Sequence, residues 1–148
     1  MSGRTQRWLR DAFSPAALLP GENVLAFERL RDYLYAEFEP RGPEEREQVE
    51  RMLLACWRLR RLARAARRLN RQVRLGANSA GDELLSLVCF VHGGLEGVTL
   101  PRLLEHRRRL VEAFRSAAAR LEELQRGRRT RNSSVRLGKS QDTEHLTP

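Results

Sequence analysis

The sequence predicts an all-α fold, a three- or four-helix antiparallel bundle built on two long amphipathic helices. Large apolar residues recur at three- and four-residue spacing over 24–39, 43–75 and 100–125, and capping or helix-stopping residues bracket these segments. Strand formation would need pairing that no other stretch clearly offers.

Residues 1–22 form a basic N-terminal arm with Arg4, Arg7 and Arg10, in which Trp8, Leu9 and Phe13 are suited to dock as a short helix. The bundle proper is assigned to 23–126. Its first helix, over 24–39, follows Asn23, whose side chain can accept a free backbone N–H as an N-cap, and places Phe27, Leu30, Leu34 and Phe38 on one face. Pro40 stops it. Arg41-Gly42-Pro43 then turns the chain into a helix whose first turn tolerates the missing donor of Pro43.

That second helix, expected over 43–75, would span about 48 Å at roughly 1.5 Å per residue. Glu44, Glu45, Glu47 and Glu50 occupy its N-terminal end and arginines its C-terminal half, an order that complements the helix dipole. At about 100° per residue, Leu59, Leu62, Ala63, Ala66, Leu69 and Val73 fall within an arc of about 120°. Arg58, Arg60, Arg61, Arg64, Arg67, Arg68, Arg71 and Arg74 take the rest, which makes these eight the expected nucleic-acid-binding residues. Ala63 and Ala66 are expected to permit close helix approach, and Asn70 interrupts the apolar arc.

After the turn at 76–81, the run 84–91 reads as a short buried helix, and Thr99 can cap a closing helix over 100–125. That helix aligns Leu103, Leu110, Val111, Phe114, Ala117, Ala118, Leu121 and Leu124, with Arg107 projecting into the seam, either to snorkel out of it or to pair with a carboxylate such as Glu50. From Gly127 onward polar residues replace the apolar period, so 127–148 is expected to be a flexible tail.

Charge carries the functional signal. The chain has 28 Lys plus Arg against 19 Asp plus Glu, and all but one of those bases are arginine. Residues 51–81 hold nine arginines and no acid, leaving nineteen bases and nineteen acids elsewhere, so this one segment carries the whole +9 excess. Such a surface favours polyanions, RNA or DNA first, through phosphate attraction and counterion release. Acidic proteins and anionic membranes are the other partners that fit, and an arginine-biased coding background would give the same composition without any ligand.

Catalytic chemistry finds little footing. His92, His106 and His145 are scattered, Cys56 and Cys89 lack a metal-ligand pattern, and the glycines around 76–97 match no nucleotide-binding spacing. The expectation is a noncatalytic protein without cofactor or metal, in a reducing cytoplasm, with no apolar run long enough to cross a membrane. Trp57, beside the arginine cluster, is the candidate for stacking on an unpaired base or anchoring a partner, with core packing as its other reading. Tyr33 and Tyr35 add a weaker aromatic signal.

Leu19-Pro20-Gly21-Glu22-Asn23 with Phe27 and Leu30, Pro40-Arg41-Gly42-Pro43-Glu44-Glu45, Trp57-Arg58-Leu59-Arg60-Arg61, and the closing Leu103-Leu104 to Leu124-Gln125 together resemble a family of small, mostly uncharacterised bacterial helical proteins. The resemblance spans roughly 19–125 and implies a shared helical architecture and a bacterial source; it carries no activity onto any residue. Members often have a basic tract ending in an Asn-Ala and His-Gly-Leu pattern before the Leu-Pro-Gly-Glu turn, where this chain has Arg10 to Pro15. The expected function is that of an accessory protein holding RNA or DNA backbone on its arginine-rich helix. The alternative is a homo- or hetero-oligomeric interaction subunit whose basic face meets an acidic protein.

Overall fold

The computed structural model describes residues 11–80 and 100–141, with side chains placed for 11–68, 71 and 101–134. The expected short helix over 84–91, the first ten residues, Cys89, His92 and His145 lie outside the described residues. Within them the fold is an all-α bundle of three helices: α1 (Val24–Phe38), α2 (Pro43–Ala80) and α3 (Leu100–Gln141).

The turn chemistry sets the helix ends. Asn23 Oδ1 accepts from the Ala26 N–H at 3.0 Å, closing the first turn of α1. At its other end Glu39 turns left-handed at φ 41°, its N–H donating to the Tyr35 carbonyl. Gly42, at φ 84°, completes the reversal in a conformation that costs a side chain least when there is none. Glu45 then reaches back to accept from the Arg41 N–H at 2.8 Å, in the manner of a capping box, and α2 begins.

α1 runs antiparallel to α2. Phe27 packs edge-on against Trp57, with ring centroids 5.3 Å apart, while a few turns away the Tyr35 hydroxyl donates to Glu50 Oε1 at 2.8 Å. α3 is antiparallel to α2 as well, since Leu103 and Leu110 share a core cluster with Leu62 and Ala65, whereas Arg128 pairs with Glu45 at the opposite end of α2. The larger core joins all three helices through Leu30, Leu34, Val49, Met52, Leu53, Trp57, Ala117 and Leu121. A smaller one joins Ala12 to the α2–α3 pair.

The register corrects one expected contact. Arg107 is exposed, level with the Leu62 end of α2, and Glu50 lies level with Leu121, roughly 20 Å away at about 1.5 Å per residue. Glu50 is bonded to Tyr35 instead.

The apolar seam of α2 also differs. Ala63 and Ala66 are exposed and Ala65 is buried in their place. In the first half of α2 the inward residues are Val49, Met52, Leu53 and Trp57, sandwiched between α1 and α3. Past Trp57 the inward residues are Arg61, Leu62 and Ala65, a swing of roughly 150° at about 100° per residue. The covering element has changed: α1 lies against the first half, and segment 11–22 lies against the second. A single helical projection cannot show such a turn.

α3 continues as helix through Gly127 to Gln141, across most of the stretch expected to be a flexible tail. Polar anchors explain it. Gln125 Nε2 donates to the Phe38 carbonyl at 2.7 Å, satisfying an acceptor at the end of α1. One turn on, Arg128 reaches the buried Glu45 carboxylate at 2.7 Å. Further along, Thr130, Ser133 and Ser134 return their hydroxyls to the carbonyls four residues earlier, which satisfies the hydroxyls within the helix without anchoring it. Replacing Arg128 by Gln leaves Glu45 with only the Arg41 N–H among its described partners. The expected cost is about 1–3 kcal/mol of unfolding free energy by denaturant titration, with faster amide deuterium exchange over 126–134.

Candidate nucleic-acid interface

Between Arg60 and Arg68 every exposed position of α2 is an arginine or an alanine: Arg60, Ala63, Arg64, Ala66, Arg67 and Arg68. Arg71, also exposed, prolongs the set, so Arg60 to Arg71 spans about 16 Å of helix axis at roughly 1.5 Å per residue. At about 100° per residue these positions occupy an arc of about 200°, with Arg60, Arg64, Arg67 and Arg71 in its central stripe. Among the described residues Arg60, Arg67, Arg68 and Arg71 form no ion pair. The side chain of Arg74 lies outside the described residues.

The remaining predicted arginines serve the fold. Arg61 is 5% exposed and fully engaged. Its Nε donates to Glu22 Oε1 at 3.0 Å and one terminal nitrogen to Glu22 Oε2 at 2.7 Å, while the Ser14, Ala16 and Ala17 carbonyls accept at 3.1 to 3.2 Å. Arg58, half-buried, donates to the Pro15 carbonyl. Arg64 stands between the two roles: it donates to Glu22 Oε1 at 2.8 Å and lies 5.5 Å over the Trp57 ring, yet its side chain remains 46% exposed.

Glu22 organises this junction. Besides the two arginines it accepts from Trp57 Nε1 at 2.9 Å and from the Leu19 N–H at 3.0 Å. Burial alone would raise its pKa; the hydrogen bonds from Arg61, Trp57 and the Leu19 backbone, with the Arg61 charge, overcome that and bring it down to about 2. The left-handed Gly21, at φ 85°, turns the carboxylate-bearing residue toward α2. Beside it opens a cleft of about 360 Å³ whose walls include Gly21, Asn23, Arg64 and Arg68.

Trp57, expected as a stacking or anchoring residue, is 1% exposed, covered by Phe27 and Arg64 and tied to Glu22. Tyr35 is occupied by Glu50, and Tyr33 is exposed on α1. His106 packs on Phe13, with ring centroids 4.9 Å apart, and its pKa is lowered by burial and then by the charges of Arg109 and Arg58. Its buried Nε2 has no hydrogen-bond partner among the described residues. Cys56 is half-buried, and burial raises its thiol pKa, which favours the protonated form. Among the described residues no cluster of His, Cys, Asp and Glu is placed to hold a metal ion, and no helix is long and apolar enough to cross a membrane.

Arginines on α3 are laid out differently. Glu105 accepts from both Arg108 and Arg109 at 2.9 Å, and Arg120 pairs with Glu123, so that surface mixes signs. Past Glu123 α3 carries no acid either, and Arg126, Arg129 and Arg131 are exposed there without an ion pair among the described residues; the longer single-signed run is the second half of α2. Comparison with protein-family models, curated proteins and solved structures gives no match to this chain.

Replacing Glu22 by Gln strands Arg61 as a buried cation with carbonyl acceptors alone, an expected loss of about 3 kcal/mol in denaturant unfolding. The pH dependence follows the same carboxylate. Its pKa is depressed in the folded chain, so its contribution is complete above the unfolded value of 4.5. It falls away as the pH drops toward about 2, where the unfolded chain holds a proton that the folded one refuses. Thermal melts from pH 6 down to pH 2 should show a shallower acid slope in the Gln variant; parallel slopes would contradict the assigned pKa.

Proposed function

We propose that this chain is a noncatalytic helical accessory protein that binds RNA or DNA backbone through the arginine-rich second half of α2. The observation that carries the reading is the run of exposed positions from Arg60 to Arg71, cationic or alanine wherever a side chain is described, on one continuous helix. Guanidinium groups offer phosphate a planar donor fork. A helix whose opposite face is packed holds those groups at fixed spacing. Arg61 and Arg58 support the surface from beneath by fixing segment 14–17 against α2, and they are not counted among its contacts.

The second reading, a homo- or hetero-oligomeric interaction subunit whose basic face meets an acidic protein, draws on Val24, Leu25, Tyr33 and Leu104, all large and more than half exposed. Analytical ultracentrifugation of the full chain, alone and with nucleic acid, separates self-association from nucleic-acid loading.

Arg60, Arg67 and Arg71 lie outside the Glu22 junction, so replacing all three by Gln preserves helicity by circular dichroism. In fluorescence anisotropy across a salt series, the slope of log affinity against log salt should become shallower by about 3, near 0.9 for each lost phosphate contact. An affinity insensitive to salt, or a slope unchanged in the triple variant, contradicts the proposed contact.

A further inference from the structure

We propose that the polyanion held by α2 is B-form duplex DNA, with residues 60–71 seated in its major groove. This rests on the nucleic-acid reading above and narrows it to one class of ligand.

Proteins that hold single strands combine a cationic groove with exposed aromatic rings on which bases stack. Here Trp57, the aromatic residue nearest the arginines in sequence, is buried, roofed by Arg64, braced by Phe27 and bonded through its indole N–H to Glu22. The surface from Arg60 to Arg68 presents guanidinium groups and methyl groups only. It offers unpaired bases guanidinium planes but no aromatic platform, and it is a convex rod with the cleft at Arg64 and Arg68 on one flank only.

A helix with its side chains measures about 10–12 Å across, against a B-DNA major groove about 12 Å wide, so fit depends on what projects from the cylinder. Ala63 and Ala66 are exposed, and on their side the cylinder is hardly wider than its backbone. Arg60, Arg64, Arg67 and Arg68 occupy the adjoining arc, long enough to reach phosphates along the groove wall or the guanine edge at its floor. The alanine methyls meet thymine methyls on favourable terms. Duplex RNA presents a deep, narrow major groove that closes to a helix of this girth. Leu62 and Ala65, packed on Leu103 and Leu110, keep α3 behind the arginine arc, with Ala66 about 40° from Leu62 at the edge of the packed face.

The test uses the full chain and fluorescein-labelled oligonucleotides of one sequence as duplex DNA, duplex RNA and single-stranded DNA, read by anisotropy at a fixed moderate salt. Duplex DNA should bind at least about tenfold tighter than either of the others. The double variant Ala63→Gln/Ala66→Gln keeps net charge, uses a residue that still forms helix well, and thickens the groove-facing side. It should lose about tenfold for duplex DNA and less than about twofold for single strands, with Ala63→Ser/Ala66→Ser, of small side chain, retaining duplex binding. Equal or tighter binding of duplex RNA or single strands overturns the groove assignment and leaves the nucleic-acid reading in place, as does duplex binding unimpaired in the Gln variant. Absence of binding to all three at low salt overturns both.

Discussion

The carboxylate of Glu22 is the constraint on which the rest of the structure depends. It lies just ahead of the N-cap of α1, and the five hydrogen bonds it accepts come from the Leu19 backbone and from Trp57, Arg61, which gives two, and Arg64 on α2. One acid therefore fixes where α1 starts, how Trp57 is oriented and which side of α2 segment 14–17 covers. The Glu22–Arg61 pair is buried, and burying both charges consumes much of the attraction gained. Its effect is chiefly positional: with three carbonyls also converging on Arg61, alternative docking of the segment would leave a cation without acceptors in a low-dielectric site.

That arrangement divides the arginines of α2 into two populations. Arg58 and Arg61 point into the bundle and meet carbonyl and carboxylate oxygens; Arg60, Arg67, Arg68 and Arg71 point away and keep their charge for solvent or a ligand. Arg64, with one side on Glu22 and Trp57 and nearly half its surface exposed, marks the border. The same mechanism explains why the buried face of α2 changes direction past Trp57. α1 shields the first half, the 11–22 segment shields a different side of the second, and α3 spans both along its length.

Much of the fold was legible in the sequence because it rests on apolar period and on local caps. The α1 face of Leu30 and Leu34, the Asn23 cap, the break at Pro40 and the α3 seam through Leu103, Leu110, Ala117 and Leu121 all follow from residues within a few turns of one another. Where polar contacts between distant segments decide the outcome, period was silent. Nothing in the periodicity of the second helix says that Arg61 will meet an acid 39 residues earlier, or that Ala65 will be buried while Ala63 and Ala66 are not. The extension of α3 past Gly127 escaped for the same reason, since its anchors are an amide on a carbonyl and an arginine on Glu45. Of the candidate interface, the arginine run was plain from composition. Its partition into structural and exposed members, and the burial of Trp57, required the Glu22 turn, whose only signature in the sequence is an acid within Leu19-Pro20-Gly21-Glu22-Asn23.

The most direct measurement is an arginine Nε–Hε NMR spectrum of the full chain, assigned by single substitutions and followed as a short DNA duplex is added. The account predicts that Arg60, Arg67, Arg68 and Arg71 shift and slow their exchange with water, while Arg61, already protected in the free protein, keeps its resonance. Equal perturbation of Arg61, or exposed resonances that stay in place at saturating duplex, would contradict the separation of a structural arginine from a binding surface on the same helix.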